Sequence, residues 1–106
     1  MPARCFVIER QNDKDSPANL KDFGEIVYIF KAGQDRPSVF DTDRMSESIL
    51  EALNANKFCA ASDFLVVSGS LNMMANLVAV AVNNFGVCDA LMFEFSSKKY
   101  RQVEIG

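Results

Sequence analysis

A chain of 106 residues, 49% hydrophobic and 24% charged, can bury one core without disulfides or metal but not two, and its composition excludes disordered and fibrous classes. Fourteen acids against eleven bases leave a net charge of −3, which supplies no electrostatic footprint for duplex nucleic acid or an anionic membrane. Cys5, Cys59 and Cys88 are odd in number and stand in apolar surroundings, where free thiols behave as small hydrophobes, so a reducing, cytoplasmic setting is expected.

Arg4 to Glu9 is a short apolar run bounded by charges and reads as a first strand, too short for the core of a signal peptide. The polar segment Gln11 to Asn19, with Pro17 inside it, reads as turns. Gly24 then opens a second strand, Glu25 to Lys31. Its β-branched and aromatic residues do not alternate cleanly with polar ones, the pattern of a strand covered on both faces and internal to its sheet. Ala32 to Ser38 follows as a loop.

From Asp41 the period becomes helical. Met45, Ile49, Leu50 and Leu53 form one apolar stripe, and Arg44, Glu47, Ser48 and Glu51 take the other side. Asn54 to Lys57 closes this helix. Between Asp63 and Asp89 the chain then runs twenty-five residues, Phe64 to Cys88, without a charge. The run divides into a third strand, Phe64 to Val67, a Ser68-Gly69-Ser70 turn, and a second helix from Leu71 to about Phe85 stopped by Gly86. Its longest continuous apolar piece, Leu77 to Val82, is far below the roughly twenty residues of a membrane span. Val87 to Phe95 is a fourth strand, and Ser96 to Lys99 links it to Tyr100 to Ile105 as a hairpin partner.

The order β-β-α-β-α-β-β predicts a single-domain α/β fold, a mixed sheet of about five strands with two helices. The third and fourth strands should be parallel across a right-handed crossover, with the last hairpin adding an antiparallel edge. The doubly apolar second and third strands favour cover on both faces of the sheet.

Candidate chemistry begins with an absence, since the chain has no histidine and thus lacks the usual general base, the Ser-His and Cys-His pairs and the commonest metal ligand. No catalytic residues, cofactor or metal are expected. Asp41 and Asp43, with Asp35 nearby, could pair around a divalent cation, but acids at the positive end of a helix dipole are the plainer reading. Lys98, Lys99 and Arg101 flank Tyr100; the cluster reads as edge-strand protection, with stacking on single-stranded nucleic acid as the disfavoured alternative.

Two surfaces remain as candidate sites. The Ser68-Gly69-Ser70 turn lies between a strand and a helix, where amides and the dipole can hold an anion; Ser68, Gly69, Ser70 and Asn72 would be the ligand-binding residues. The turn lacks the lysine of a P-loop and the spacing of a dinucleotide fingerprint, and Ser70 can equally be an N-cap. At about 100° per residue, Asn72, Asn76 and Asn83 fall in one narrow stripe with Ala75 and Ala79 beside it. A helix facing bulk water would carry Lys or Glu there, so Asn72, Asn76, Ala79 and Asn83 are the candidate interface, with a second copy of the chain or a partner protein against it.

Ser16-Pro17-Ala18, Phe23 to Val27, Phe40 to Arg44, Asp63 to Ser70, and Leu91 to Phe93 through Tyr100 together resemble small uncharacterised α/β proteins encoded by bacteriophages and related mobile elements. The resemblance implies a virus-encoded accessory protein in the host bacterial cytoplasm. It carries no catalytic residues to these positions, and it favours protein binding, including interference with a host system. Two expectations result. The first is a non-enzymatic, self-associating binding module, most simply a homodimer, that could also act on a host protein. The second is a binder of small anions or nucleotides through the Ser-Gly-Ser turn.

Overall fold

The structure, a computed structural model, describes residues 3–9, 20–30, 36–38, 40–68 and 70–106. Strand β1 is Arg4–Glu9, α1 is Leu20–Phe23, β2 is Glu25–Phe30 and α2 is Thr42–Ala55; β3 (Phe64–Val66), α3 (Leu71–Phe85), β4 (Cys88–Glu94) and β5 (Lys99–Ile105) complete the chain. The five strands form one sheet in the order β2-β1-β3-β4-β5. β1 runs parallel to both β2 and β3, β3 runs parallel to β4, and only β5 is antiparallel. The mixed sheet, the parallel β3–β4 pair and the antiparallel hairpin are as the sequence predicts. The turn-rich segment Gln11 to Asn19, Lys31 of the expected second strand and residues 32–35 of the expected loop lie outside the described residues.

Alternation along the strands divides the core in two. Phe6, Ile8, Ile29 and Leu65 point to the face that also receives Met45, Ile49 and Leu53 of α2 and Met73, Leu77, Val80 and Ala81 of α3. Cys5, Val7, Val66 and Leu91 point to the other face and meet Leu20 of α1, with Phe23, Ile26, Tyr28 and Phe64 packed around them. This division follows from topology. The connection from β1 to β2 steps one way across the sheet, and those from β2 to β3 and from β3 to β4 step the other way. A common right-handed crossover therefore places α1 opposite α2 and α3.

Local chemistry fixes the helix ends. Asp41 caps α2 by accepting from the Arg44 amide at 3.2 Å, and Ser70 caps α3 by accepting from the Met73 amide at 3.3 Å. Gly86 ends α3 at φ 82°, a conformation that favours glycine. Phe58 ties the helical layer to the sheet, edge-on to Phe6 at 5.2 Å and to Phe85 at 5.1 Å.

Two features differ from the sequence expectation. A third helix, α1, is present, and its four residues are too few to produce a helical period. β2 is an edge strand, not an internal one. Its lack of alternation arises because α/β layering packs both faces even at the margin: Ile29 enters one core cluster while Ile26 and Tyr28 pack on the other.

Candidate functional site

The carboxyl ends of β1 and β3 are adjacent, but the chain leaves β1 towards β2 and leaves β3 towards β4. This reversal is a topological switch point, the place where open α/β sheets most often hold ligands. Crossover geometry brings the N-termini of α2 and α3 to the same end of the sheet. Ser68 follows β3 here and is half-buried, while Ser70 and Asn72 are exposed; Gly69 lies outside the described residues. Glu9, the last residue of β1, receives the Arg36 guanidinium at 2.7 Å. The Ser70 hydroxyl is engaged as the α3 cap, and Asp41 as the α2 cap. Among the described residues the end of the sheet therefore presents oriented amides and the Ser68 hydroxyl, while Arg36 is already paired to the Glu9 carboxylate.

The asparagine stripe of α3 is divided by the neighbouring helix. Asn76 is 8% exposed; its Oδ1 accepts from Ser46 Oγ of α2 at 2.9 Å and its Nδ2 donates to the Asn72 carbonyl at 2.7 Å. It joins α3 to α2 within the chain. Asn72, Ala79 and Asn83 face outward together with Leu71, Ala75 and Asn84. This outward face of α3 has no charge, and Leu71 on it is 77% exposed.

A second apolar surface lies on the β4–β5 hairpin. Met92, Phe93, Phe95 and Val103 are all exposed, Phe95 at 84%. The Phe93 ring is edge-on to Phe95 at 5.2 Å and to Tyr100 at 5.3 Å, while Met92 and Val103 occupy the other side of the ribbon. Cys88, Ala90 and Leu91 at the start of β4 are buried, whereas the half of the hairpin nearer the turn is open on both faces. The sequence shows apolar residues at both parities, Met92 beside Phe93, and places the hairpin at the edge of the sheet, but does not show where along β4 the helical cover stops.

The basic cluster sits at the same hairpin. Lys98, Lys99 and Arg101 are exposed, and Arg101 pairs with Glu94 of β4 at 3.0 Å. Hydrogen bonds from the Ser97 hydroxyl and then from Arg101 hold the Glu94 carboxyl below the usual carboxylate range. At the other end of the ribbon Asp89 stands directly opposite Glu104, a like-charge cross-strand pair.

Sequence reading also misses the ion pair between the partly buried Arg4 and the buried Asp63 at the amino end of the sheet. Asp63, 2% exposed, accepts from the Arg4 guanidinium at 2.9 Å, from the Arg4 amide at 3.1 Å and from the Cys59 amide at 2.8 Å. Arg4 in turn donates to the carbonyls of Asn56 at 2.6 Å and Lys57 at 3.0 Å, beyond the end of α2. The available signal was positional, because each charge immediately precedes an apolar strand and those two strands are parallel neighbours.

Cys59 is exposed in the turn before Asp63. Hydrogen bonds from the Ser62 hydroxyl and from the Ala61 and Ser62 amides lower its thiol pKa. Burial drives the other two thiols up, Cys5 to about 11 and Cys88 in the same direction. Among the described residues no group of three or more Cys, Asp and Glu side chains is placed to hold a metal ion, and no helix is long and apolar enough to cross a membrane.

Sheet, layers and surfaces define a small α/β protein with a topological switch point and an antiparallel edge hairpin that is apolar on both faces. Residues 4–106 match the Phage Pam3 gp32-like protein family, and the chain belongs to it. The match spans nearly the whole chain, in agreement with the resemblance to small phage-encoded proteins. No curated protein and no solved structure matches the chain.

Proposed function

We propose that this phage-family protein is a non-enzymatic accessory protein that works by binding protein, in the first place a second copy of itself. The observation that carries the reading is the β4–β5 hairpin, where Met92, Phe93, Phe95 and Val103 are exposed on the two sides of one ribbon. Large side chains gathered at one margin of a small domain are characteristic of an interaction surface rather than of scattered exposure. The uncharged outer face of α3, with Asn72, Ala79 and Asn83, extends the surface available to a partner, and a host protein is the further partner class. Light scattering across a concentration series tests the reading. Mass rising from one to two chains is expected, and a strict monomer at all concentrations would count against it.

A second reading, small-anion or nucleotide binding by Ser68, Ser70 and Asn72, is favoured by one observation, the position of their turn at the switch point where β1 and β3 diverge. Inorganic phosphate and a nucleotide series in a thermal-shift assay test it, since a ligand of the folded state raises the melting temperature by mass action. No shift at millimolar ligand would remove this reading.

A further inference from the structure

We infer that the self-association proposed above, on which this inference rests, occurs by antiparallel pairing of β5 with β5 of a second copy, making one continuous ten-stranded sheet. β5 is the last strand of the sheet, so among the described residues one side of its seven-residue backbone has no strand beside it. Neither proline nor glycine interrupts Lys99–Ile105, and such an edge is a template for another strand. The charge pattern selects both the partner and its direction. Lys98, Lys99 and Arg101 lie at the turn end of β5, and Glu104 lies at the other end with Asp89 directly across from it. A parallel second copy would lay cations on cations. An antiparallel copy lays the basic end of each strand along the acidic end of the other, the self-complementarity that a twofold interface requires.

The register follows from placing the twofold axis at Gln102. Tyr100 then faces Glu104 of the second copy, and Arg101 faces Val103 of the second copy, where the aliphatic part of the arginine can cover an exposed valine. Lys98, in the turn immediately before β5 at φ 56°, stands at the end of that strand that meets Glu104 of the second copy, and its long flexible side chain can reach the carboxylate. Two such contacts form by symmetry. Each places a cation beside the Asp89–Glu104 pair, whose like charges repel within one chain. A register centred on Arg101 would instead oppose two arginines, and one centred on Val103 would pair fewer residues of the strand.

The test is a charge swap read by light scattering over a concentration range up to about 1 mM, with hydrogen exchange on β5 as a second measurement. Lys98→Glu and Glu104→Lys alter exposed side chains, and each should weaken the dimer about tenfold, since each breaks two symmetry-related contacts. The double variant K98E/E104K restores opposite signs at both positions and should return to within about threefold of the parent. In the parent, protection of β5 amides should rise with protein concentration. A parent dimer unaffected by both single changes, or a double variant no better than either, or β5 amides whose exchange ignores concentration, would overturn the strand pairing while leaving self-association through another surface. A parent that stays monomeric would overturn both readings.

Discussion

Arg4 and Asp63, 59 positions apart in the chain, meet at 2.9 Å where β1 and β3 begin side by side. The parallel register that pairs Cys5 with Phe64 brings the two preceding residues together. The same arginine donates to two carbonyls after α2, at the helix end that favours a cation. One side chain thus joins the first strand, the end of a helix and the entry to the central strand.

Asp63→Ala should therefore be among the most destabilising single changes in the protein. It strands the Arg4 amide, the Cys59 amide and a partly buried guanidinium, and breaking a buried pair from one side costs about 3 kcal/mol or more. Urea unfolding should show the midpoint falling with the slope unchanged. A loss below about 1 kcal/mol would mean that water replaces the carboxylate at that site.

Gly24→Ala should cost about 1–3 kcal/mol for a different reason. Gly24 has an ordinary backbone conformation, but a β-carbon on it would lie 2.2 Å from the Ala3 carbonyl oxygen. That carbonyl also accepts from the Glu25 amide at 3.3 Å, so relief of the clash must loosen the start of the β1–β2 pairing. The same urea experiment measures it, with Gly86→Ala as a comparison in which space is open but φ is 82°.

The thiols should separate by pH and accessibility. Cys59 is exposed with a lowered pKa, so it should react with iodoacetamide first and at a lower pH than an ordinary thiol, while Cys5 and Cys88 wait for unfolding. The leading cause is the Ser62 hydroxyl bond, and Ser62→Ala should move the Cys59 rate profile to higher pH. Mass spectrometry of the labelled peptides reads both effects. Equal labelling of all three cysteines in the native protein would contradict the burial on which the assignment rests.

Cys5 links stability to alkaline pH. Its thiol is held at about 11 against an ordinary 9.0, first by burial and then by the Asp63 charge. A raised folded-state pKa contributes stability that is complete below the unfolded value and is lost as pH rises through the folded value. The melting temperature should therefore decline between about pH 9 and 11. Cys5→Ala, though less stable at pH 7, should show a shallower decline over that interval.

Much of this architecture was legible because hydrophobic period depends on local neighbours. The stripe of Met45, Ile49 and Leu53 identifies α2, and the Asp41 and Ser70 caps follow from side-chain chemistry at helix starts. What was not legible depends on strand order. β2 reads as internal because both of its faces are packed, and only the topology puts it at the margin. Met92 and Phe93 are apolar at both parities of the fourth strand, yet both are exposed. Of the candidate site residues, Ser68 and Asn72 are placed at the switch-point end of the sheet, whereas Asn76 is turned towards α2, a contact set by helix packing over a sequence separation of thirty residues.

That inward turn of Asn76 separates it from the other members of its stripe. Helical spacing makes Asn72, Asn76 and Asn83 equivalent, but only Asn76 accepts from Ser46, at 2.9 Å, and is nearly out of solvent. Asn76→Ala leaves the Ser46 hydroxyl without its acceptor and opens a gap between α2 and α3, which should cost about 1–2 kcal/mol. Asn83→Ala, on the exposed side, should stay within about 0.5 kcal/mol of the parent. The double-mutant cycle of Ser46→Ala with Asn76→Ala should give a coupling of about 1 kcal/mol, because either change alone already forfeits the bond. Additive losses in that cycle would show that the α2–α3 contact is held by its apolar side chains, with the amide contributing only through its bond to the Asn72 carbonyl.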